Sequence, residues 1–496
     1  MSVLPVIKLN LSDADDLASF LASVDKDFPV PLSSKVDIDE YAIKLLNRGF
    51  VVGARDEKGL LRGIAAGYAN DSENLIAYLS VIAVAADYRG QGLSSDLLTA
   101  FESRSIDEGM ASISLQTHSS NVRAIKFYQH MGYRVDSNLI PPYDNLEVHK
   151  LFCGLSRERP NILLTSVGRR AYLVEWFKDA LDGNGEIFVV NSDSSTPAFK
   201  VADHSAKCPL IYSDEYIPFL LDYVKKNHIG AILSLFDIDI PVLANHKSDF
   251  ARLGCFPLIA SHRTASICND KLQTAYFLND AGIRSIPTYT NTEIYLNSFG
   301  CNETAFPAFV KPRWGMGSIG VLEANDELEL RAAYSMVSRK VANSYLKYES
   351  SSAESVAIIQ PAISGDEYGM DVVNDLQGNY RSHSVRRKLA MRAGETDVAE
   401  TVVADRRFEE LARSLSAKLS FPGNMDVDVF DTSEGLVVLE MNARFGGGYP
   451  FSHMAGVDLP SALVSWLRGQ NESDGVLECS NPGKFMKEIE LVRLEG

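Results

Sequence analysis

Between Asn424 and Asn442 the chain reads NMDVDVFDTSEGLVVLEMN, with polar and apolar residues alternating on both sides of a short polar turn. Met425, Val427, Val429, Val437, Leu439 and Met441 share one parity, and Asp426, Asp428, Glu440 and Asn442 share the other. Strand side chains alternate faces, so this pattern predicts a hairpin with one apolar and one acidic face. With Asp431 to Gly435 as the turn, the even positions of both strands fall on the same side. Glu440 and Asn442, two residues apart, would stand roughly 6.5–7 Å from each other on that face. Carboxylates crowded in this way repel, and a hard cation with oxygen ligands relieves the repulsion. A water-facing acidic surface on an edge hairpin is the competing explanation of the same stretch.

Other residues suited to chemistry lie upstream. In AFPAFVKPRWGMGSIGV, Lys311 ends an apolar strand directly before a loop holding Gly315, Gly317, Ser318 and Gly320. A lysine followed by flexible backbone N–H donors suits a polyphosphate, although the stretch also fits a surface hairpin with one cation. The spacing is not a P-loop, because no GK[ST] opens a helix. Asp270 and Lys271 precede an amphipathic helix. In AIIQPAISGDEYGMDVV a strand, a polar loop with Gly365 and a second strand follow one another. Gln360 to Ile363 could meet an adenine through backbone hydrogen bonds, with Glu367 accepting from a ribose. The stretch VRRKLAMRAGE (Arg386, Arg387, Lys388, Arg392, Glu395) is either a solvated basic strand or a cradle for carboxylate and phosphate groups. Ser166, Gly168, Arg169 and Arg170 either touch a substrate or cap a helix.

A third candidate lies near the N-terminus, in YLSVIAVAADYRGQGLSSDLLTAF. It predicts a strand, a glycine-bearing turn and a helix whose Leu93, Leu97, Leu98 and Phe101 face a core. Glycines in the turn admit a ligand close to the backbone, and the helix N-terminus offers free N–H groups to a pyrophosphate.

Positioning these residues takes more than one core. At 496 residues, two to four domains are expected. The 46% hydrophobic and 23% charged content is that of globular protein, and a net charge of −17 disfavours a general nucleic-acid or anionic-membrane binder. The N-terminus lacks a signal-peptide pattern, no apolar run reaches membrane-span length, and the six scattered cysteines fit free thiols in a reducing cytoplasm. A boundary is expected near Leu155 to Pro160. Beyond it, strands at Asn161–Thr165, Glu186–Val190 and Ala231–Ser234 alternate with helices from Ala171 and near Tyr216–Lys226, which predicts a small parallel sheet. Ser335 to Ser355 is serine-rich and is expected to be an exposed segment or mobile loop.

Residues 3–151 resemble the GNAT acyltransferases. Arg89, Gly92 and Ser94 occupy the places of that family's acyl-CoA motif, and Asn121, Ala124, Phe127, Tyr128, Gly132 and Tyr133 those of a second motif. Ser94 departs mildly from the usual glycine or alanine. The resemblance implies that the turn Arg89, Gly90, Gln91, Gly92, Leu93 and Ser94 cradles the pyrophosphate of acetyl-CoA. It further implies that Asn121 orients the cofactor and Tyr128 protonates the departing thiolate. A lone His118 near Asn121 could act as a base, or serve structure alone.

The stretch from Asn161 to Gly469 resembles ATP-grasp ligases of the branch related to carbamoyl-phosphate synthetase and biotin carboxylase. That resemblance implies ATP phosphates on Lys271 and Lys311 under the loop Gly315–Gly320, including Gly317 and Ser318. Adenosine would sit by Gln360, Ile363 and Glu367, Mg²⁺ on Asp428, Glu440 and Asn442, and Arg444 on the transferring phosphoryl group. Asp428 stands where glutamate is more usual.

The fold expected is therefore α/β and α+β multidomain: a GNAT fold at 1–156, a pre-ATP-grasp α/β domain at 160–265 and an ATP-grasp domain at 266–496. The implied activity is an ADP-forming carboxylate–amine ligase joined to a CoA-dependent N-acyltransferase. Small-molecule acid and amine substrates are expected, without nucleic acid or membrane, in the cytoplasm and with a homo-oligomer compatible. Three rivals are a GNAT half that only senses acyl-CoA, a nucleotide-regulated protein acetyltransferase and a non-catalytic scaffold.

Overall fold

In the computed structural model, residues 4–140, 144–151, 159–298, 306–315, 320–349, 355–419, 421–473, 475–488 and 491–493 are described. The chain is a mixed α/β multidomain protein whose N-terminal part is built on a seven-stranded sheet. In spatial order its strands are Val6–Lys8, Phe50–Arg55, Leu61–Asp71, Ile76–Val84, Ser112–His118, Asn145–Leu151 and Arg134–Ile140. Strands Ile76–Val84 and Ser112–His118 run parallel and pair only at Ile76↔Ser112, Ala77↔Ile113 and Tyr78↔Ser114. Beyond Tyr78 they part, leaving a V that opens towards Val84 and His118. The helix Leu93–Asp107 buries Leu93, Leu97, Leu98 and Phe101 against this sheet, as its periodicity predicts. Phe101 stacks on Phe50 with ring centroids 4.4 Å apart.

A five-stranded parallel sheet follows, in the order His204–Lys207, Ile187–Asn191, Asn161–Thr165, Ile229–Ser234, Phe256–Pro257. Successive strands leave Asn161–Thr165 in opposite directions across the sheet. The crevice at the carboxyl ends of Asn161–Thr165 and Ile229–Ser234 is therefore a topological switch point, where α/β folds hold ligands. Ser166 does not cap the following helix, whose N-cap is Arg170; its hydroxyl instead donates to the buried Asp239 at 3.0 Å.

The C-terminal part has two antiparallel sheets. The smaller holds Leu322–Ala324, Ala308–Pro312 and Ala357–Pro361. The larger runs Gly435–Asn442, Gly423–Thr432, Asp366–Asn374, Tyr380–Arg392, Glu395–Val402 and Lys484–Met486. One face of the larger sheet buries Met370, Val372, Met425 and Val427 against Phe408, Ala412, Leu415 and Leu419 of the helix Arg406–Leu419. The other face is left for the site.

Two sequence expectations fail here. Ser335–Ser355 is not a loop over most of its described length, because the helix Glu327–Ala342 continues through Ser335 and buries Leu330, Ala333, Val337 and Val341 at helical spacing. The acidic hairpin turns more tightly than expected, at Thr432↔Gly435, and carries a bulge opposite Asp428 and Val429. The extra residue shifts the parity of its second strand. Val438, not Val437 or Leu439, joins the core with Met441, and Leu439 turns to the open face.

The N-terminal sheet docks on the rest through the closed end of its V. Leu75 and Ala111 pack into the core of the parallel-sheet domain, alongside Leu376 of the larger C-terminal sheet's hairpin. Ser261 Oγ donates to Glu73 Oε1 at 2.8 Å, and the buried Lys247 Nζ donates to the Glu73 carbonyl at 3.3 Å. The open end of the V is the end away from this contact.

Candidate active sites

A cavity of about 470 Å³ lies between the two C-terminal sheets and reaches the switch-point crevice. Its axis follows the strand Gly423–Thr432. Phe430, Asp428 and Asp426 face it in turn, and Asp428 and Asp426 stand directly across from Glu440 and Asn442. Around Phe430 the lining is apolar, with Ile286, Phe309, Val321, Ile363 and Leu439, beside the strand end Gln360 to Pro361. The Gln360 side chain is turned away from a ligand role by its bond to Thr288 Oγ1 at 2.8 Å. A slot of this kind suits a flat heteroaromatic ring read by backbone groups.

At the level of Asp428 the lining becomes charged. Lys271 is delivered by the helix Lys271–Asp280, whose N-cap Asp270 accepts from Leu272 N–H at 3.0 Å and pairs with Arg313 at 2.7 Å. Its ammonium donates to the Gly315 carbonyl at 2.5 Å and lies 3.9 Å from Glu440. Lys311 is buried and has no carboxylate within ion-pair distance among the described residues. Burial pulls its pKa down to about 8, against the attraction of Glu440. Lys388 lies 2.7 Å from both Glu367 Oε1 and Asp428 Oδ1, and these two partners outweigh its burial and hold it protonated. Burial and the neighbouring carboxylates push Asp428 up to about 7 in spite of Lys388. Burial works against the charge of Glu440 too, but Lys271 and Lys311 outweigh it and keep its pKa low.

Beyond Asp428 stands a buried network that sequence reasoning did not find as a unit. Arg386 joins Asp371 at 2.5 Å and Asp426 at 2.7 Å, and Arg444 joins Asp237 at 2.9 Å and Asp426 at 3.4 Å. Asp371 also accepts from Asn424 at 2.8 Å and Ser452 at 2.7 Å. The glycines of NARFGGG make room for it. A Cβ on Gly446 would lie 2.1 Å from Asp426 Cγ, and one on Gly448 would lie 2.2 Å from Arg386 Nε. Arg170 reaches this end from the switch point, donating to the carbonyls of Leu235 at 2.6 Å and Phe445 at 3.3 Å. Of the basic stretch, Arg386 and Lys388 point inward, while Arg387 is half-exposed and pairs with Asp366 at 2.9 Å. The strand's two-residue repeat thus divides one cluster between both alternatives posed by its sequence.

The structure brings Lys271, Lys311, Gly315, Gln360, Ile363, Glu367, Asp428, Glu440, Asn442 and Arg444 to one cavity. Gly317 and Ser318 lie outside the described residues. Among the described residues no group of three or more His, Cys, Asp or Glu is gathered for a metal. The candidate set is two carboxylates and the Asn442 amide, all oxygen donors on facing strands, which fits a hard cation. Asp237 and Asp371 carry no sequence signal, because only the tertiary fold sets them against their arginines.

In the N-terminal domain both motifs follow the splayed ends of the V: Arg89–Ser94 after the strand Ile76–Val84, and Asn121 to Tyr128 after Ser112–His118. Gly90 and Gly92 have φ of 73° and 88°, a region that penalises any side chain. Gly92 is the N-cap of the helix Leu93–Asp107. Its first N–H groups are therefore available to an anion. Arg89 is held by the Val84 carbonyl at 2.9 Å and by an ion pair with Asp27, and Gln91 donates to the Asp87 carbonyl at 2.8 Å. Asn121 accepts from Ala124 N–H at 3.2 Å and so caps its own helix, Val122–His130. Tyr128 is buried between Phe127 and Tyr133, and burial raises its pKa, so the hydroxyl keeps its proton at neutral pH.

A splayed mixed sheet joined to a two-sheet nucleotide cleft behind a parallel-sheet domain defines a GNAT fold fused to an ATP-grasp fold. Family comparison agrees along the chain. Residues 17–133 match "Acetyltransferase (GNAT) family", residues 162–259 "PylC-like, N-terminal domain", and residues 354–487 "ATP-grasp in the biosynthetic pathway with Ter operon". The chain carries these three domains in that order. Among curated proteins, Acetyl-CoA carboxylase 2 of Arabidopsis thaliana is 28% identical over 174 residues, which are 33% of this chain and 7% of that protein. The chain thus spans under a tenth of the length of the curated relatives it matches. Among solved structures, N5-carboxyaminoimidazole synthetase of Staphylococcus aureus superposes with a TM-score of 0.50 at 15% identity, over 66% of this chain and 82% of that one. Biotin carboxylase of Campylobacter jejuni, in its beta-gamma-ATP complex, gives 0.52 at 15% identity, over 65% and 73%. At such identities the likeness establishes the fold alone.

Proposed function

We propose that the chain is an ADP-forming carboxylate–amine ligase fused to a CoA-dependent N-acyltransferase, with domains at 1–156, 160–265 and 266–496. The carrying observation is the convergence of Lys271, Lys311, Glu367, Asp428, Glu440 and Arg444, from separated segments, on one cavity with an apolar slot at one end. ATP enters with its base by Gln360 to Ile363, its ribose at Glu367 and its phosphates on Lys271 and Lys311. Asp428, Glu440 and Asn442 would hold Mg²⁺, which would supply neutralisation of phosphate charge. A substrate carboxylate oxygen attacks the terminal phosphorus, and ADP leaves. An amine then attacks the acyl carbon of the resulting acyl phosphate, phosphate leaves and the amine proton is lost. Arg444 would stabilise the charge that develops on the transferring phosphoryl group.

In the GNAT half, the turn Gln91 to Ser94 receives the pyrophosphate of an acyl-CoA, most simply acetyl-CoA. A substrate amine attacks the thioester carbonyl and loses a proton to solvent, the C–S bond breaks, and Tyr128 gives its proton to the departing thiolate and regains one from solvent. Both substrates are small molecules. No helix among the described residues is long and apolar enough to cross a membrane; we place the enzyme in the cytoplasm and keep a homo-oligomer as compatible.

The test is nucleotide product analysis with a panel of acids and amines, with and without acetyl-CoA. ADP and phosphate release that requires both an acid and an amine supports the ligase; AMP and pyrophosphate would refute it.

A further inference from the structure

At the phosphate end of the cavity three lysines stand against three carboxylates. Lys271, Lys311 and Lys388 face Glu367, Asp428 and Glu440. Within that set Lys388 is singular. It comes from the strand Tyr380–Arg392, its side chain is only 7% exposed, and its ammonium lies 2.7 Å from a carboxylate oxygen of Glu367 and of Asp428 at once. The ammonium balances the charge of two carboxylates that a metal ion would otherwise balance, at hydrogen-bond distance rather than the roughly 2.0–2.1 Å of a Mg²⁺–oxygen contact. Lys388 takes only Oδ1 of Asp428, so the second oxygen keeps its lone pairs, but a divalent cation on it would stand beside an ammonium and be repelled.

We infer, on the basis of the ligase reading, that Lys388 is an internal counter-cation that keeps the metal position closed until a nucleotide's phosphates draw it away. A divalent cation entering alone would meet an ammonium already on its ligand. A nucleotide brings the negative charge that attracts Lys388, freeing Asp428 for the metal. Metal and nucleotide therefore enter together, and a metal-loaded, nucleotide-free enzyme does not accumulate. The buried ion pairs of Lys388 order the strands around the site in the meantime.

The test is Mn²⁺ binding to the full chain, read by the electron paramagnetic resonance of free Mn²⁺, with and without ADP. Wild type, Lys388→Met, Lys388→Gln and Lys388→Arg are compared after thermal melting confirms folding. The expected result is weak Mn²⁺ binding by nucleotide-free wild type and Lys388→Arg, about tenfold or more tighter binding by whichever neutral variants fold, and tight binding by wild type once ADP is present. Equal Mn²⁺ affinity in wild type and the neutral variants, or equal affinity of wild type with and without ADP, overturns the inference. Failure of any form to bind Mn²⁺ together with ADP removes the nucleotide-site reading itself, a different result from either of these.

Discussion

On the ligase reading, Lys311 should make nucleotide binding a function of pH. Burial lowers its pKa from the ordinary 10.5 to about 8 in the ligand-free protein, with no carboxylate at ion-pair distance among the described residues. That shift corresponds to about 3 kcal/mol of disfavoured charge. Phosphate oxygens of a bound nucleotide would restore the charge and raise the pKa again. Binding above pH 8 must therefore include proton uptake, and the affinity for Mg·ADP should fall about tenfold for each further pH unit. Calorimetric titrations from pH 7 to 9.5 should show a Kd that changes by no more than about twofold between pH 7 and 8, where Asp428 completes its ionisation, a roughly tenfold weaker one near pH 9, and heats that depend on buffer ionisation. Lys311→Met should bind weakly with little pH dependence. The control matters because the buried Lys247, at the domain contact, is also drawn down to about 8. A flat wild-type profile, or the same slope in Lys311→Met, refutes the reasoning. The sign for stability is opposite. Between about 8 and 10.5 the unfolded chain holds more protons on this lysine, so the ligand-free fold gains stability as pH rises through that window.

Three further outcomes are expected. Glu440→Gln removes one of the two carboxylates facing each other across the strands and should lower ADP formation on the order of 10²-fold, measured by coupled ADP release. Gly446→Ala would drive a Cβ to 2.1 Å from the Asp426 carboxyl carbon, which Arg386 and Arg444 hold in place; overpacking of about 1–3 kcal/mol should lower the melting temperature by several degrees. Tyr128→Phe should cut acyl transfer by about 10²-fold or more with little change in the KM for acetyl-CoA, and unchanged transfer would remove its role as an acid.

Much of this site was legible because its residues lie on short, strongly patterned segments. The alternation of NMDVDVF places Asp426 and Asp428 on one face, and register then sets them opposite Asn442 and Glu440. The helix from Lys271 announces itself by Asp270, which caps it. The failures have physical causes. A bulge is one extra residue without a composition signal, so the parity of Val437 and Leu439 reads the wrong way in sequence. The helix through Ser335 hides because serines occupy its outer face, while Ala333, Val337 and Val341 keep the buried repeat. Arg386 reads as a phosphate cation, yet Asp371 and Asp426 neutralise it, and Asp371 lies on a strand that no local pattern ties to it. Arg170 is set at the cavity by the crossover order of the parallel sheet, which is a property of topology.

The most direct measurement is a crystal structure of the full chain with Mg²⁺ and a non-hydrolysable ATP analogue. The account predicts the base in the slot of Ile286, Phe309, Ile363 and Leu439, the terminal phosphate on Lys271 and Lys311, and metal on Asp428, Glu440 and Asn442. A nucleotide bound elsewhere, with these side chains left in their mutual ion pairs, would contradict it.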